Sequence, residues 1–136
     1  MVKTFPLNST GFHPFGELIG LQFSSCEDGF SRCSLDITEN LLNPHRVVHG
    51  AVIYAMSDTG MGGALYSSLE PEQLCATVEI KINYFKAVSS GTLVCDTKVV
   101  HRGKRTAAME SEIRSGDDLV AKSLGTYSIF AVSRDK

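Results

Sequence analysis

The sequence has no excess of either charge and no long uncharged apolar run. Its 13 Lys and Arg residues stand against 15 Asp and Glu residues, a formal net charge of −2. A nucleic-acid-binding surface needs a basic excess or stripe. The most apolar stretch, residues 50–66, contains Asp58 and is rich in Gly, Ser and Thr, unlike a membrane anchor. We therefore expect neither a nucleic acid nor a membrane as a partner.

Motifs for secretion, metal binding and phosphate loops are also missing. Residues 1–18 contain no continuous apolar segment of the kind found in secretory signals. The chain has four cysteines, Cys26, Cys33, Cys75 and Cys95. They form no CxxC pair and no His/Cys ligand spacing, and most of them lie in strand-like segments. No glycine-rich Walker or dinucleotide-binding loop is present. These absences predict a cytoplasmic protein without a metal or a bound cofactor.

The chain has the length of one domain. No internal repeat, low-complexity tract or linker divides its 136 residues, which are enough to bury a hydrophobic core. We therefore expect a single domain over residues 1–136. Residues 1–15 are expected to form a lead segment and residues 131–136 a tail.

After position 75 the sequence alternates between apolar and polar residues, which is typical of half-buried strands. In CATVEIKINYF the apolar residues share one face: Val78, Ile80, Ile82 and Tyr84. The polar residues share the other face: Thr77, Glu79, Lys81 and Asn83. Three more strands follow, separated by turns at residues 89–91, at Gly103 and at residues 115–118.

Upstream, ELIGLQFSSC and FSRCSLDIT predict a hairpin around Asp28-Gly29. The elements are then two strands, one helix at residues 50–67 and four strands. Short hairpin turns favour an antiparallel sheet with one apolar face, and only the helix is available to cover it. The sequence therefore predicts an α+β fold in which a curved antiparallel sheet of about six strands wraps one long central helix.

A single carboxylate lies in the middle of the predicted helix. Aspartate is a poor helix-interior residue, and carboxylates are rarely buried without a partner. No Lys or Arg lies within one helical turn of Asp58, and its mid-helix position excludes a capping role. The pattern favours a general base or nucleophile. The alternative is a carboxylate that accepts hydrogen bonds from the sheet or from a neighbouring chain.

The dipeptide His49-Gly50 opens the same helix. The first N–H groups of a helix lack intrahelical partners, so the Gly50 N–H is a candidate donor to an oxyanion. The alternative is that both residues only turn the chain into the helix. Gly50 and Asp58 are about 12 Å apart along the helix axis, too far for both to serve one carbonyl. If both are catalytic, they come from two chains, and the geometry predicts a homodimer.

The order Asn43, His49-Gly50, Asp58 and then ATVEIKINYFKA resembles a known family. It is similar to the hotdog-fold acyl-CoA thioesterases of the PaaI-like type, within the 4-hydroxybenzoyl-CoA thioesterase superfamily. The resemblance covers nearly the whole chain. It implies hydrolysis of an acyl- or aroyl-CoA thioester, in sites shared between subunits of a dimer or a dimer of dimers. Coenzyme A is then part of the substrate and not a cofactor.

The resemblance also implies roles for five residues. Gly50 would supply the backbone N–H of the oxyanion hole, and Asn43 would polarise the thioester carbonyl or hold the lytic water. Asp58 of the partner subunit would act as general base or nucleophile, and Thr77 would assist it. By alternation alone, however, Thr77 is a surface residue. His49 would orient the loop around Asn43, or would only form local structural hydrogen bonds.

Two features depart from related patterns. The family's usual His-Gly-Gly is His49-Gly50-Ala51 in this chain, and the added methyl group narrows the space at the helix start. Hotdog enoyl-CoA hydratases resemble LLNPH but carry an acid where this chain has Leu41, so the Asp/His pair for hydration is missing. A hydratase-like enzyme and a non-catalytic acyl-CoA-binding protein are the alternatives to a thioesterase.

The turn HRGKRT gathers Arg102, Lys104 and Arg105 around Gly103. Similar basic hairpins in the family meet the phosphates of coenzyme A, and guanidinium and ammonium groups suit phosphate recognition. The resemblance therefore implies that Arg102, Gly103, Lys104 and Arg105 bind coenzyme A. A solvated surface turn is the alternative.

Overall fold

The computed structural model describes residues 3–7 and 10–132. The predicted tail at residues 131–136 lies largely outside the described residues, as does part of the predicted lead segment. The elements in chain order are α1 (Pro14–Ile19), β1 (Gln22–Glu27), β2 (Phe30–Asp36), a short 3₁₀ helix (Glu39–Leu41), α2 (Gly50–Tyr66), β3 (Gln73–Tyr84), β4 (Thr92–Arg102), β5 (Thr106–Ser115) and β6 (Asp118–Ala131). Within the described ranges, no helix is long and apolar enough to cross a membrane.

The six strands form one antiparallel sheet in the order β1-β2-β4-β5-β6-β3. Helix α2 contacts all six strands. A flat sheet of six strands would be about 24 Å wide at its usual strand spacing, whereas a helix with its side chains is about 10–12 Å across. The sheet must therefore curve around α2. This confirms the predicted architecture.

The start of the predicted first strand is wrong, because residues Pro14–Ile19 form helix α1. Pro14 stands at the first turn of this helix, where its missing N–H costs nothing. Gly20 ends the helix in the left-handed conformation, with φ of 79°. The strand β1 begins only after this cap.

The predicted alternation of side chains between the two faces of β3 is also wrong at one point, Val78. Thr77 pairs with Tyr127 and Glu79 pairs with the next residue along β6, Thr126, so Val78 is an extra residue in a β-bulge. Since successive strand residues point to opposite faces, one extra residue exchanges the faces. Thr77 therefore points to α2, as Ile80 does beyond the bulge, and Val78 is 60% exposed.

Two glycines of α2 let the sheet approach the helix closely. A Cβ on Gly60 would lie 2.6 Å from Oγ1 of Thr97, and a Cβ on Gly63 would lie 2.7 Å from the Phe23 ring. Real side chains do not approach so closely. This contact supports the interpretation that small residues in the helix serve packing, and it fixes α2 firmly on the sheet.

Candidate active site

The carboxylate of Asp58 is held by two hydroxyl groups of the sheet. Oγ1 of Thr77 donates to Oδ1 of Asp58 at 2.7 Å, and Oη of Tyr127 donates to the same oxygen. Oη of Tyr127 also lies 2.6 Å from the backbone carbonyl oxygen of Asp58. Oδ2 makes no hydrogen bond to any residue in the described ranges. The sheet thus fixes the carboxylate through one oxygen and leaves the other for a ligand.

Tyr127 is a site residue that the sequence interpretation missed. Its side chain is buried, and burial, followed by the hydrogen bond to Asp58, raises its pKa well above the ordinary value for tyrosine. The phenol therefore stays protonated and remains a donor at any ordinary pH. Tyr127 lies 69 residues from Asp58 in sequence, and alternation in the last strand marks it only as a core residue.

A cleft of about 380 Å³ opens beside Asp58. The polar side chains that line it include Asp58, Thr77 and Tyr127. Aromatic rings also line the cleft: Phe5, Phe12, Phe23 and Tyr66. Cys75 also lines the cleft, and burial raises the pKa of its thiol, which keeps it protonated. The arrangement combines one carboxylate with apolar surface, as small-molecule sites do.

At the start of α2, His49 caps the helix and leaves one backbone donor unused. Nδ1 of His49 accepts a hydrogen bond from the Ala51 N–H at 2.9 Å, so the proton of the neutral ring is on Nε2. The Gly50 N–H has no partner in the described part of the chain. Ala51 donates to the cap and is not available to a substrate. Gly50 therefore carries the free N–H at this helix end.

Tyr84 lies against Gly50. Its hydroxyl donates to the Gly50 carbonyl oxygen at 2.8 Å, and a Cβ on Gly50 would lie 3.3 Å from the Tyr84 ring. Burial, and then the neighbouring Tyr54, raise the pKa of Tyr84. Glycine at this position thus serves packing against Tyr84 in addition to any approach by a ligand. Both residues line a second cleft of about 350 Å³.

Asn43 organises the loop that precedes α2. Its Oδ1 accepts from the N–H groups of His45 at 2.9 Å and Val47 at 3.4 Å, and its own N–H donates to the Val47 carbonyl. The side-chain amide nitrogen has no partner among the described residues, so it is available as a donor. His49 makes no side-chain hydrogen bond to Asn43 within the described ranges; its ring caps α2 instead.

Gly50 and Asp58 do not meet within one protomer. Both lie on α2, eight residues apart, which is about 12 Å along the helix axis. Asn43 lies on the Gly50 side of this gap, and Thr77 lies on the Asp58 side. The predicted site residues therefore form two half-sites at two places on the protomer.

The basic side chains of the turn at residues 101–106 differ in whether they have partners. The Arg102 guanidinium donates to the Ser68 carbonyl oxygen and, at 2.9 Å, to Oε1 of Gln73. Lys104 and Arg105 are exposed and form no side-chain hydrogen bond or ion pair within the described ranges. Among all the described residues, no group of three or more His, Cys, Asp or Glu residues is placed to hold a metal.

Comparison with known proteins identifies the family. Residues 45–122 match the model of the thioesterase superfamily, which is more than half of the chain. The chain belongs to the thioesterase superfamily. Conserved protein PA5202 from Pseudomonas aeruginosa, a solved structure, is 37% identical with a TM-score of 0.85, over 88% of this chain and 95% of that one.

Two relatives of this superfamily member carry more specific names. The 1,4-dihydroxy-2-naphthoyl-CoA hydrolase of Listeria monocytogenes is 27% identical over 97 residues, 71% of this chain and 79% of the relative. The acyl-coenzyme A thioesterase PaaI of Escherichia coli is 28% identical over 97 residues, 70% of this chain and 66% of the relative. The predicted PaaI-like hotdog family and the enzyme class, a thioester hydrolase, are confirmed.

Proposed function

We propose that this protein hydrolyses acyl- or aroyl-CoA thioesters to a free acid and coenzyme A. One observation carries the proposal. Asp58 lines a cleft, and Thr77 and Tyr127 hold one of its carboxylate oxygens while the other has no partner in the described part of the chain. The two relatives named above, one a CoA-thioester hydrolase and one an acyl-CoA thioesterase, support coenzyme A as the thiol.

The chemistry follows from the groups in the two half-sites. As general base, Oδ2 of Asp58 takes a proton from a water that attacks the thioester carbonyl carbon. As nucleophile, the same oxygen attacks that carbon itself and forms a mixed anhydride, which water then cleaves. In both cases the Gly50 N–H, with the Asn43 amide, stabilises the oxyanion before the coenzyme A thiolate leaves. The hydroxyl donors on Oδ1 keep the carboxylate aimed at the reacting carbon.

The two half-sites meet if two protomers pair. Strand β3 has 12 residues and pairs only with β6, so one of its long edges has no partner in the described chain. Such an edge readily adds a strand. Pairing of two β3 strands across a two-fold axis would continue the sheet and set the α2 helices antiparallel. Gly50 and Asn43 of one protomer would then serve the same carbonyl as Asp58 of the partner subunit.

The phosphates of coenzyme A are the proposed ligands of the basic turn. Lys104 and Arg105 are the free cations there among the described residues, since Arg102 is engaged by Ser68 and by Gln73, the first residue of β3. Arg102 thus holds the turn in place, and the N–H of Gly103 pairs with the Thr106 carbonyl at 2.8 Å. In this assignment Lys104 and Arg105 make the direct phosphate contacts.

The substitution Asp58→Asn tests the proposal. It keeps the size of the side chain and removes its basicity, so we expect kcat to fall by at least about 100-fold. The measurement is thiol release from short-chain, medium-chain and aroyl-CoA thioesters. Asp117→Asn, in the exposed turn between β5 and β6, is the matched control and should keep wild-type activity.

Three outcomes would contradict the proposal. The first is full hydrolysis of the whole panel by Asp58→Asn. The second is addition of water to crotonyl-CoA by the wild-type protein, which would favour a hydratase. The third is tight acyl-CoA binding without turnover, which would favour a non-catalytic binding protein.

A further inference from the structure

Two cavities of the protomer meet at one wall. The cleft beside Asp58 has a volume of about 380 Å³, and a second cavity of about 280 Å³ lies between the lead segment and the start of β1. Four residues line both cavities: Phe5, Phe12, His13 and Phe23. Asp58 lines only the first cavity. The shared residues therefore lie between the space next to Asp58 and the second space.

Phe5 is the centre of this wall. Its ring centroid lies 4.5 Å from that of Phe23, 5.4 Å from that of Phe12 and 5.7 Å from that of Tyr66. These are the distances of favourable aromatic pairs. The segment is also tied to the turn after α2, because the Lys3 N–H donates to the Leu69 carbonyl at 3.1 Å. Phe5 is thus packed on several sides.

We propose that the acyl group of the substrate lies in the cleft beside Asp58 and that Phe5 sets the greatest acyl length the cleft accepts. The inference rests on the proposed thioesterase function. With the thioester carbonyl at Asp58, an acyl group that enters this cleft extends toward the aromatic rings that line it. The substrates are then compact acyl groups, short aliphatic chains or single aromatic rings, which end at Phe5.

The physical reason is the apolar surface that each part of the acyl group buries. Each methylene that leaves water for an apolar pocket strengthens binding by about fourfold. A chain that reaches the Phe5 ring gains nothing from further methylenes and must displace packed aromatic side chains. Removal of the ring would join the two cavities and let a longer chain continue into the second.

The test is the chain-length profile of Phe5→Ala. We measure kcat/KM for acyl-CoA thioesters from butyryl to dodecanoyl and for phenylacetyl-CoA. We expect the ratio of dodecanoyl to butyryl activity to rise by at least about tenfold over wild type. Phe5→Leu, which keeps an apolar cluster, should shift the ratio in the same direction by less. Phe130→Ala removes a ring that is 45% exposed and lines neither cavity, so its profile should match wild type.

The ratio of dodecanoyl to butyryl activity separates specificity from folding, because a loss of folded protein lowers the activity on all substrates equally. An equal loss across the series, or an unchanged profile in both Phe5 variants, overturns the inference and leaves the proposed function intact. If the wild-type protein hydrolyses no CoA thioester, both the inference and the proposed function are overturned. If Phe5→Ala is unstable in a thermal melt, the Phe5→Leu profile decides.

Discussion

At the scale of single residues, Gly50 combines two properties that substitutions can separate: a free N–H and the absence of a Cβ next to Tyr84. Gly50→Ala adds the Cβ and keeps the N–H. Gly50→Pro adds the Cβ and removes the N–H. Proline is tolerated at the first position of a helix, and His49 already has the extended conformation required before proline, with φ of −63° and ψ of 134°.

We expect Gly50→Pro to have a kcat about 100- to 1000-fold below that of Gly50→Ala, because only the proline variant lacks a donor to the oxyanion. The measurement is steady-state hydrolysis of one good acyl-CoA substrate by both variants, with thermal melts to establish folding. Equal activity of the two variants would show that the Gly50 N–H is not the donor.

The surroundings of Asp58 show where prediction from the sequence ends. The sequence alone shows that no Lys or Arg lies beside Asp58 on the helix, because helix neighbours lie three or four residues away in the sequence. The actual partners, Thr77 and Tyr127, come from two strands of the sheet, one of them 69 residues away. Thr77 entered the prediction through the family resemblance, whereas Tyr127 had no local signal to distinguish it from a core aromatic.

At the scale of elements, the bulge at Val78 explains why the alternation misassigned Thr77. Alternation with a period of two assigns side chains to the correct face only while the two strands pair residue for residue. One extra residue moves the side chains beyond it to the other face. The strands themselves, their hairpins and the long helix were predicted because their patterns are local. The order of strands in the sheet was not, since the pairing of β2 with β4 and of β3 with β6 depends on contacts far apart in sequence.

Glycines of α2 differ in what they face, and this predicts opposite effects on stability. Gly60→Ala should lower the free energy of unfolding by about 1–3 kcal/mol, because its Cβ would lie 2.6 Å from Oγ1 of Thr97 in a packed core. Gly62→Ala should raise it by up to about 1 kcal/mol through helix propensity, since its nearest neighbour, Tyr127, is 3.9 Å away.

Urea unfolding at one fixed protein concentration measures both effects, since oligomers unfold in a concentration-dependent way. Gly62→Ala serves as the matched control, because it adds the same methyl group to the same helix. Equal stabilities of the two variants would contradict the interpretation that Gly60 is required by close contact with the sheet.

At the scale of the whole molecule, the central feature is that α2 carries both Gly50 and Asp58, the two groups that the proposed mechanism uses, but keeps them apart. The distance between Gly50 and Asp58 follows from helix geometry alone and cannot close by side-chain movement. In the proposed mechanism the site therefore takes groups from two copies of the chain, and the edge of β3 that has no partner among the described residues offers a place for the second copy. The proposed mechanism thus makes activity depend on the oligomeric state.

Subunit mixing tests this condition directly. If sites are shared, a one-to-one mixture of Gly50→Pro and Asp58→Asn subunits forms mixed dimers in which one of two sites has both intact groups. Statistical pairing then gives about a quarter of the wild-type sites from two nearly inactive parents. If each site were built within one protomer, mixing would restore nothing.

A second mixture provides the control, because in this mixture sharing of sites lowers the activity instead of restoring it. Wild-type subunits mixed one-to-one with the double variant Gly50→Pro/Asp58→Asn should keep about a quarter of the wild-type activity if sites are shared, because every mixed dimer has two broken sites. They should keep about half if each protomer works alone. Unfolding and refolding the mixed subunits together gives the random pairing that both results assume, and a refolded wild-type sample sets the scale.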